Sequence, residues 1–154
     1  MTNLCSKVIA KLQGKTLVTA ESLTGGGIGA ALTAVPGASA VYKGGIISYT
    51  DSVKNKTLGV PREMLAECGA VSAPVAKAMA MGAREVLEAD IAVSVTGLAG
   101  PDGDDFGNPV GTVFIGYCDE TVSVVRHFIF PGNRETVRSQ TIRAALELVL
   151  QFNP

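Results

Sequence analysis

The segment Asp90–Thr96, with the sequence DIAVSVT, decides the fold class of the chain. After Asp90 it contains no charged residue. Alternate side chains of a strand point to opposite faces, and apolar or small residues occupy both faces here. A strand that is apolar on both faces needs a layer of helices above and below its sheet. The sequence therefore predicts a three-layer α/β/α domain.

Four other apolar runs predict the remaining strands of the sheet. The last two, Thr112–Cys118 and Val122–Phe130, are separated only by Asp119–Thr121, so they should form an antiparallel hairpin. The sheet is therefore expected to be mixed, with about five or six strands. The other two predicted strands are Thr16–Ala20 and Gly45–Tyr49.

Helical periodicity is clearest in Ser72–Glu88. Ser72 is the expected N-cap, and Pro74 lies in the first turn, where proline is tolerated. The spacing of apolar residues predicts one core-facing stripe along this helix. Its expected members are Val75, Ala76, Met79, Ala80, Ala83, Val86 and Leu87.

A second long helix is predicted from Asn133, a good N-cap residue, to Phe152. Three shorter helices are expected to begin after Thr24, after Asp51 and at Pro61.

The composition of the 154-residue chain favours a single domain with a continuous core. Hydrophobic residues make up 47% and charged residues 18%, and 13 basic against 14 acidic side chains give a net charge of −1. This balance argues against nucleic acid or an anionic membrane as a partner. No stretch resembles a signal sequence or approaches the ~20 apolar residues of a membrane span, so we expect a cytoplasmic protein.

The three cysteines, Cys5, Cys68 and Cys118, are widely spaced and form no CxxC pair. Neither a disulfide framework nor a structural zinc site is expected from that pattern. We expect the protein to use no cofactor and no bound metal.

The glycine-rich stretch Thr19–Gly29, TAESLTGGGIG, follows a predicted strand and opens a predicted helix. Unpaired N–H groups and the helix dipole make such a turn attractive to a phosphate or an oxyanion. Neither GxxxxGK[ST] nor GxGxxG is present. Three interpretations remain open: an anion cradle, a turn that presents Ser22 as a nucleophile, or a flexible turn capped by Ser22 or Thr24.

A serine nucleophile needs a base, and two side chains are candidates. The only histidine, His127, lies in the predicted strand VVRHFIF with no acidic partner in a recognisable motif, which argues against a Ser-His-Asp triad. Lys54 is predicted to lie in the first turn of a helix capped by Thr50 or Asp51, where the dipole disfavours positive charge. Burial would also favour its neutral form and Asp51 would oppose it; the alternative is a solvated surface lysine.

Three further sets of residues have possible chemical roles. Tyr49 ends the strand before Lys54 and could donate a hydrogen bond or stack on an aromatic ligand. Arg134 and Arg138 lie four residues apart and could clamp an anion or simply be solvated. The long loop Gly97–Gly111 carries acidic residues that do not match an EF-hand. A site for a magnesium ion that bridges to a substrate phosphate remains an alternative. These are Asp102, Asp104 and Asp105.

Six blocks of the sequence occur in the order and at the spacing of a known family. They are TAESLTGGGIGAALTAVPGAS, GGIISYTDSVKNKTLGV, GAVSAPVAKAMAMGA, SVTGLAGPDG, NPVGTVFIGY and FPGNRETVRSQTIRAAL. From about Lys7 to Leu150 the chain resembles the C-terminal domain of the CinA (competence- and damage-inducible) family. Leu23 stands where the family often has cysteine.

The resemblance implies a single amidohydrolase domain over residues 1–154. Stand-alone members convert nicotinamide mononucleotide (NMN) to nicotinate mononucleotide and ammonia in bacterial pyridine nucleotide recycling. The family resembles serine/lysine amidases, and its catalytic serine, lysine and tyrosine match Ser22, Lys54 and Tyr49. Longer relatives carry an N-terminal domain that acts on nucleotide pyrophosphates, which we do not expect here.

The same resemblance suggests where the substrate binds. The turn after Ser22 is expected to face the oxyanion, and the phosphate is expected near the Gly100–Gly103 loop. Two other functions stay open: a non-catalytic nucleotide or phosphosugar module, and a metal-dependent phosphatase. Apolar sheet edges make a homodimer plausible. The expected oxyanion and substrate residues are Thr24, Gly25, Gly26, Thr96, Gly97, Gly100, Arg134 and Arg138.

Overall fold

A five-stranded mixed sheet forms the centre of the protein in the computed structural model, which describes residues 1–154. The strands are β1 (Leu17–Glu21), β2 (Tyr42–Ile47), β3 (Ile91–Gly97), β4 (Thr112–Cys118) and β5 (Ser123–Ile129). The helices are α1 (Thr2–Lys11), α2 (Gly27–Thr33), α3 (Asp51–Leu58), α4 (Arg62–Cys68), α5 (Ala73–Val86) and α6 (Arg134–Gln151), with a short 3₁₀ helix at Ala38–Ala40.

The strand order is β2-β1-β3-β4-β5. Strand β1 runs parallel to β2 and β3, whereas β4 is antiparallel to both β3 and β5. The predicted hairpin and the mixed sheet are therefore confirmed. Because β1, β2 and β3 point the same way, the residues that follow all three strands meet at one edge of the sheet, which is where α/β proteins place their sites.

Helices cover both faces of the sheet, so the three-layer prediction is confirmed. One core cluster joins the sheet to α1, α2 and α6, and a second joins it to α3, α4 and α5. Strand β3 is buried along almost its whole length, as the sequence of Asp90–Thr96 indicates. No helix of the chain has the length and apolarity needed to cross a membrane.

Two predicted helix caps are confirmed. Asn133 accepts a hydrogen bond from the backbone N–H of Thr136 at 3.0 Å. Thr50 accepts one from the N–H of Val53 at 3.4 Å, and this fixes where α3 begins. Ser72 is the N-cap residue of α5, as predicted, but its side chain makes no capping hydrogen bond, because its hydroxyl donates backwards to the carbonyl of Gly69 at 2.8 Å.

Three other features differ from the sequence-based expectation. Helix α1 was not predicted, although Cys5, Val8 and Ile9 have helical spacing and are buried in it. Strand β2 begins at Tyr42 instead of Gly45, because pairing with β1 outweighs the low strand propensity of its glycines. Val86, the last residue of α5, is 57% exposed, and Leu87 after it packs against the second core cluster instead.

Candidate active site

A pocket of about 240 Å³ lies at the edge where β1, β2 and β3 end. Strand β1 leads into α2 on one face of the sheet and β2 leads into α3 on the other, so the chain leaves the two strands in opposite directions. Such a division opens a crevice at the carboxyl edge of a sheet. The lining residues are Ser22, Leu23, Tyr49, Lys54, Ala70, Val71, Thr96, Gly97, Leu98, Ala99 and Arg134.

Ser22 and Lys54 are in direct contact in this pocket. The Lys54 Nζ lies 2.9 Å from the Ser22 Oγ, and the lysine side chain is only 1% exposed. The same nitrogen donates to the backbone carbonyls of Ser48, at 2.8 Å, and Tyr49, at 3.3 Å. Lys54 is therefore neither a solvated surface lysine nor a member of an ion pair, since no carboxylate lies within 4 Å of it.

The three contacts of the Lys54 nitrogen match the valences of a neutral amine. Two N–H groups can donate to the carbonyls of Ser48 and Tyr49, which leaves the lone pair to accept the Ser22 hydroxyl proton. Burial lowers the pKa of Lys54 from 10.5 to about 8, and Asp51 opposes the shift, as the sequence suggested. Ser22 and Lys54 thus have the geometry of a nucleophile with its base.

The lowered pKa of Lys54 also predicts how stability depends on pH. Between pH 8 and 10.5 the folded chain loses the Lys54 proton while the unfolded chain still holds it, so stability rises with pH in that window. The whole shift corresponds to about 3 kcal/mol, of which about 2 kcal/mol falls between pH 7.5 and pH 10. Urea unfolding of the wild type and Lys54→Met at pH 7.5 and pH 10 should show this gain in the wild type only. An identical pH dependence in both proteins would contradict the assignment.

The glycine-rich turn is organised by Glu21, which the sequence analysis missed. Its carboxylate is 2% exposed and accepts the N–H groups of Ile28, at 2.8 Å, and Gly29, at 3.1 Å. It also accepts the Thr24 hydroxyl at 2.6 Å. The alternative in which Ser22 or Thr24 caps α2 is therefore not found, and Glu21 instead occupies the first turn that an external anion would need.

The turn that follows Ser22 leaves some backbone donors free. Gly25 and Gly26 have φ of +58° and +98°, a conformation that glycine adopts without strain. The N–H of Gly25 donates to the Ser22 carbonyl at 3.1 Å, so this expected oxyanion donor is already used. The N–H groups of Leu23, Thr24 and Gly26 donate to no group in the chain, which leaves Thr24 and Gly26 as predicted oxyanion donors and adds Leu23.

Tyr49 and Arg134 form the rim of the pocket. The Tyr49 side chain is 57% exposed, and its hydroxyl accepts a hydrogen bond from Arg134 Nη2 at 3.0 Å. Arg134 Nη1 donates to the carbonyl of Gly100 at 2.7 Å. Tyr49 hydrogen-bonds to Lys54 only through its backbone carbonyl, and its hydroxyl bonds to Arg134 at the rim.

Thr96 and Gly97 line the pocket from the end of β3. The Thr96 hydroxyl donates to the carbonyl of Ala70 at 2.8 Å and so ties this strand to the loop before α5. Arg138 does not join Arg134 at the rim. Its guanidinium donates to the carbonyls of Leu23, at 2.9 Å, and Thr24, at 3.1 Å, behind the nucleophile turn.

The other chemical groups lie away from the pocket lining. His127 is exposed on β5 and stacks on Phe114 with ring centroids 4.4 Å apart. Asp104 accepts hydrogen bonds from Phe106 and Asn108 within its own loop. No three His, Cys, Asp or Glu side chains converge on one point, and the three cysteines are free.

The residues missed from sequence had weak signals. Glu21 stands directly before Ser22 at the end of a buried strand, where a carboxylate is unusual. Ser48 binds Lys54 only through its backbone carbonyl, which no side-chain pattern reveals. The pocket walls at Ala70–Val71 and Leu98–Ala99 are small apolar residues without a functional pattern.

Fold and site together define an α/β domain with a buried serine–lysine pair at the carboxyl edge of its sheet. The sequence model of the CinA C-terminal domain matches residues 1–153, so the chain belongs to the CinA C-terminal domain family. It is 46% identical over 145 residues to a CinA-like protein of Citrifermentans bemidjiense, which covers 94% of this chain and 35% of the relative. A CinA-like protein of Synechococcus is 55% identical over 115 residues, 73% of this chain and 27% of the relative. The chain thus spans about a third of the length of such curated relatives, 35% in the first case.

Solved structures of the same family have the same fold. The competence damage-inducible protein A of Klebsiella pneumoniae superposes with a TM-score of 0.95 at 36% identity, over 98% of this chain and 96% of that one. The competence/damage-inducible protein CihA of Agrobacterium tumefaciens has a TM-score of 0.93 at 38% identity, over 99% and 95% of the two chains.

Proposed function

We propose that the chain is an amidohydrolase that converts NMN to nicotinate mononucleotide and ammonia by a serine–lysine mechanism. The observation that carries the proposal is the 2.9 Å contact between the Lys54 Nζ and the Ser22 Oγ inside a pocket. The NMN substrate comes from the resemblance to stand-alone CinA-type deamidases. We place the reaction in bacterial pyridine nucleotide recycling, in the cytoplasm.

The mechanism begins with the neutral form of Lys54. Its lone pair takes the Ser22 proton while the Ser22 Oγ attacks the carboxamide carbon, and a tetrahedral oxyanion forms. Lys54 then gives the proton to the amide nitrogen, and the C–N bond breaks to release ammonia. The resulting ester on Ser22 is hydrolysed by water, with Lys54 again acting as base.

The free N–H groups next to Ser22 are proposed to stabilise the oxyanion. Those of Leu23 and Thr24 follow the nucleophile directly, and neither donates within the chain. Loss of one such donor typically costs about 3 kcal/mol of transition-state stabilisation. Gly26 is a third candidate in the same turn.

The rim is proposed to hold the ribose phosphate. Arg134 lines the pocket and uses only two of its five N–H donors on Gly100 and Tyr49, so the others are available to a phosphate. Thr96 and Gly97 line the same pocket as Arg134 and Ser22. We leave Arg138 out of the phosphate site, because its contacts are with the nucleophile turn.

Arg134→Gln is expected to raise the KM for NMN by on the order of 10- to 100-fold with a small change in kcat, because it removes a charge-assisted contact remote from the reacting carbon. The matched control is Arg143→Gln, which changes an exposed arginine further along α6. Steady-state kinetics of both variants provide the test. A fall in kcat at unchanged KM would move Arg134 from substrate binding to another role.

The proposed activity is tested by measuring ammonia release from NMN by the purified chain, with and without a metal chelator. We expect release that the chelator does not affect. Binding of NMN without ammonia release would favour the nucleotide-binding module instead. Loss of activity with chelator would require a metal, and release of phosphate from NMN would favour a phosphatase.

A further inference from the structure

The Glu21 carboxylate is a buried charged group that the proposed mechanism does not use. Besides Thr24, Ile28 and Gly29, it accepts the Thr19 hydroxyl at 3.2 Å, so four donors surround it. No cation lies within 4 Å of it. Placing a carboxylate in the interior is unfavourable unless its hydrogen bonds are made, so this arrangement needs a reason beyond an ion pair.

The contacts of Glu21 surround the serine and reach the lysine. Its carboxylate holds the Thr24 side chain and the first turn of α2, immediately after Ser22. Its backbone carbonyl accepts the N–H of Ser48 at 2.8 Å, and the Ser48 carbonyl in turn accepts Lys54 Nζ. Glu21 therefore connects both members of the pair.

Arg138, on α6, binds the same turn from its other side. It binds the carbonyls of Leu23 and Thr24 from α6. In a planar trans peptide the N–H points away from the carbonyl of the same unit. By fixing the Leu23 carbonyl, Arg138 therefore directs the free N–H of Thr24 away from itself, and that N–H is one of the proposed oxyanion donors.

We infer that Glu21 and Arg138 are positioning residues that fix the turn Ser22–Gly26 from two sides. Glu21 sets the place of the Ser22 hydroxyl relative to Lys54, and Arg138 sets the direction of the oxyanion donors. Neither touches the substrate in this scheme. The inference rests on the proposed amidase function, because it assigns these residues to the same reaction.

The test compares Glu21→Gln, Thr24→Val and Arg138→Met with the controls Glu147→Gln and Arg143→Met, which change exposed residues of α6. For the three test variants we expect kcat for NMN to fall on the order of 10- to 100-fold, because small displacements of reacting groups have effects of that size. The KM should change by less than about threefold, since substrate contacts are kept. Melting curves must show that each variant is folded at the assay temperature.

Thr24→Val is included because Glu21→Gln leaves two backbone N–H groups facing an amide and can fail to fold. Valine has nearly the shape of threonine and removes only the hydrogen bond to Glu21. A purely structural role predicts lower melting temperatures with normal kcat in the folded fraction. That result in the folded variants would overturn the inference while leaving the amidase proposal intact.

A second readout does not depend on the choice of substrate. The rate at which a fluorophosphonate probe modifies Ser22 should fall in the three test variants and stay at the wild-type value in the controls, with Ser22→Ala as the unlabelled blank. If the wild type releases no ammonia from NMN, the amidase proposal fails and this rate decides the inference. Equal labelling rates in wild type and test variants, or no labelling of wild-type Ser22, would overturn it.

Discussion

Ser22→Ala is expected to lower the rate of ammonia release from NMN by a factor on the order of 10⁴ or more, because the variant cannot form the ester intermediate. The Ser22 side chain is small and almost fully buried, and alanine fits its place without disturbing the fold. The main hydrogen bond lost is the one to Lys54. Steady-state rates, together with the melting temperature of the variant, provide the measurement.

Ser139→Ala is the matched control for this substitution. Ser139 is exposed on α6 and does not line the pocket, so the substitution removes one hydroxyl from the chain without changing the site. It should keep the wild-type rate. A folded Ser22→Ala protein that also keeps the wild-type rate would exclude Ser22 as the nucleophile.

Lys54→Met is expected to have the second largest effect, a loss on the order of 10³- to 10⁴-fold, because the Ser22 hydroxyl then has no base. Methionine fills much of the buried space that the lysine chain occupies. In the wild type, the rate should rise with pH through about 8, since the neutral amine of Lys54 becomes populated above its pKa. The residual rate of the variant should lack this rise.

Lys56→Met is the control, because Lys56 lies on the same helix and is exposed. It should retain both the rate and the pH profile of the wild type. If Lys54→Met showed the same rise through pH 8 as the wild type, the titrating group would be another residue, and the assignment of Lys54 as the base would be wrong.

The pairing of Ser22 with Lys54 was accessible from the sequence because each residue has a local signal. Ser22 lies in a glycine-rich turn after a strand, and Lys54 lies next to a helix cap. The sequence alone nevertheless left Lys54 as either a base or a solvated lysine. Only the tertiary structure supplies its burial and its contact with Ser22, which follows a different strand, whereas the carbonyls of Ser48 and Tyr49 lie six and five residues before it in the chain.

The polar contacts behind the pair could not be predicted from spacing. Arg138 and Thr24 are 114 residues apart in the chain, and their contact depends on how α6 packs over α2. The sequence predicts that the first turn of α2 is available to an anionic ligand. In the fold, the N–H groups of this turn donate to the Glu21 carboxylate instead. Local patterns thus indicated where the reactive groups lie, whereas long-range packing decides which donors remain free.

The fold itself was predictable wherever hydrophobic patterning was strong. The segment Asp90–Thr96 indicated a doubly covered sheet, and the short link Asp119–Thr121 indicated the hairpin. The start of β2 was missed because Gly44 and Gly45 weaken its local signal, and pairing with β1 restores the strand. Strand limits are therefore set by neighbours that the local sequence does not contain.

The central claim is that NMN is cleaved through an ester on Ser22, and the most direct measurement is product partition in the presence of hydroxylamine. Hydroxylamine competes with water for such an ester, so the account predicts that the wild type forms the hydroxamate of the nucleotide together with nicotinate mononucleotide, whereas Ser22→Ala forms neither. Ammonia release at the normal rate with nicotinate mononucleotide as the only product would contradict the account, because it would indicate direct attack of water on the amide.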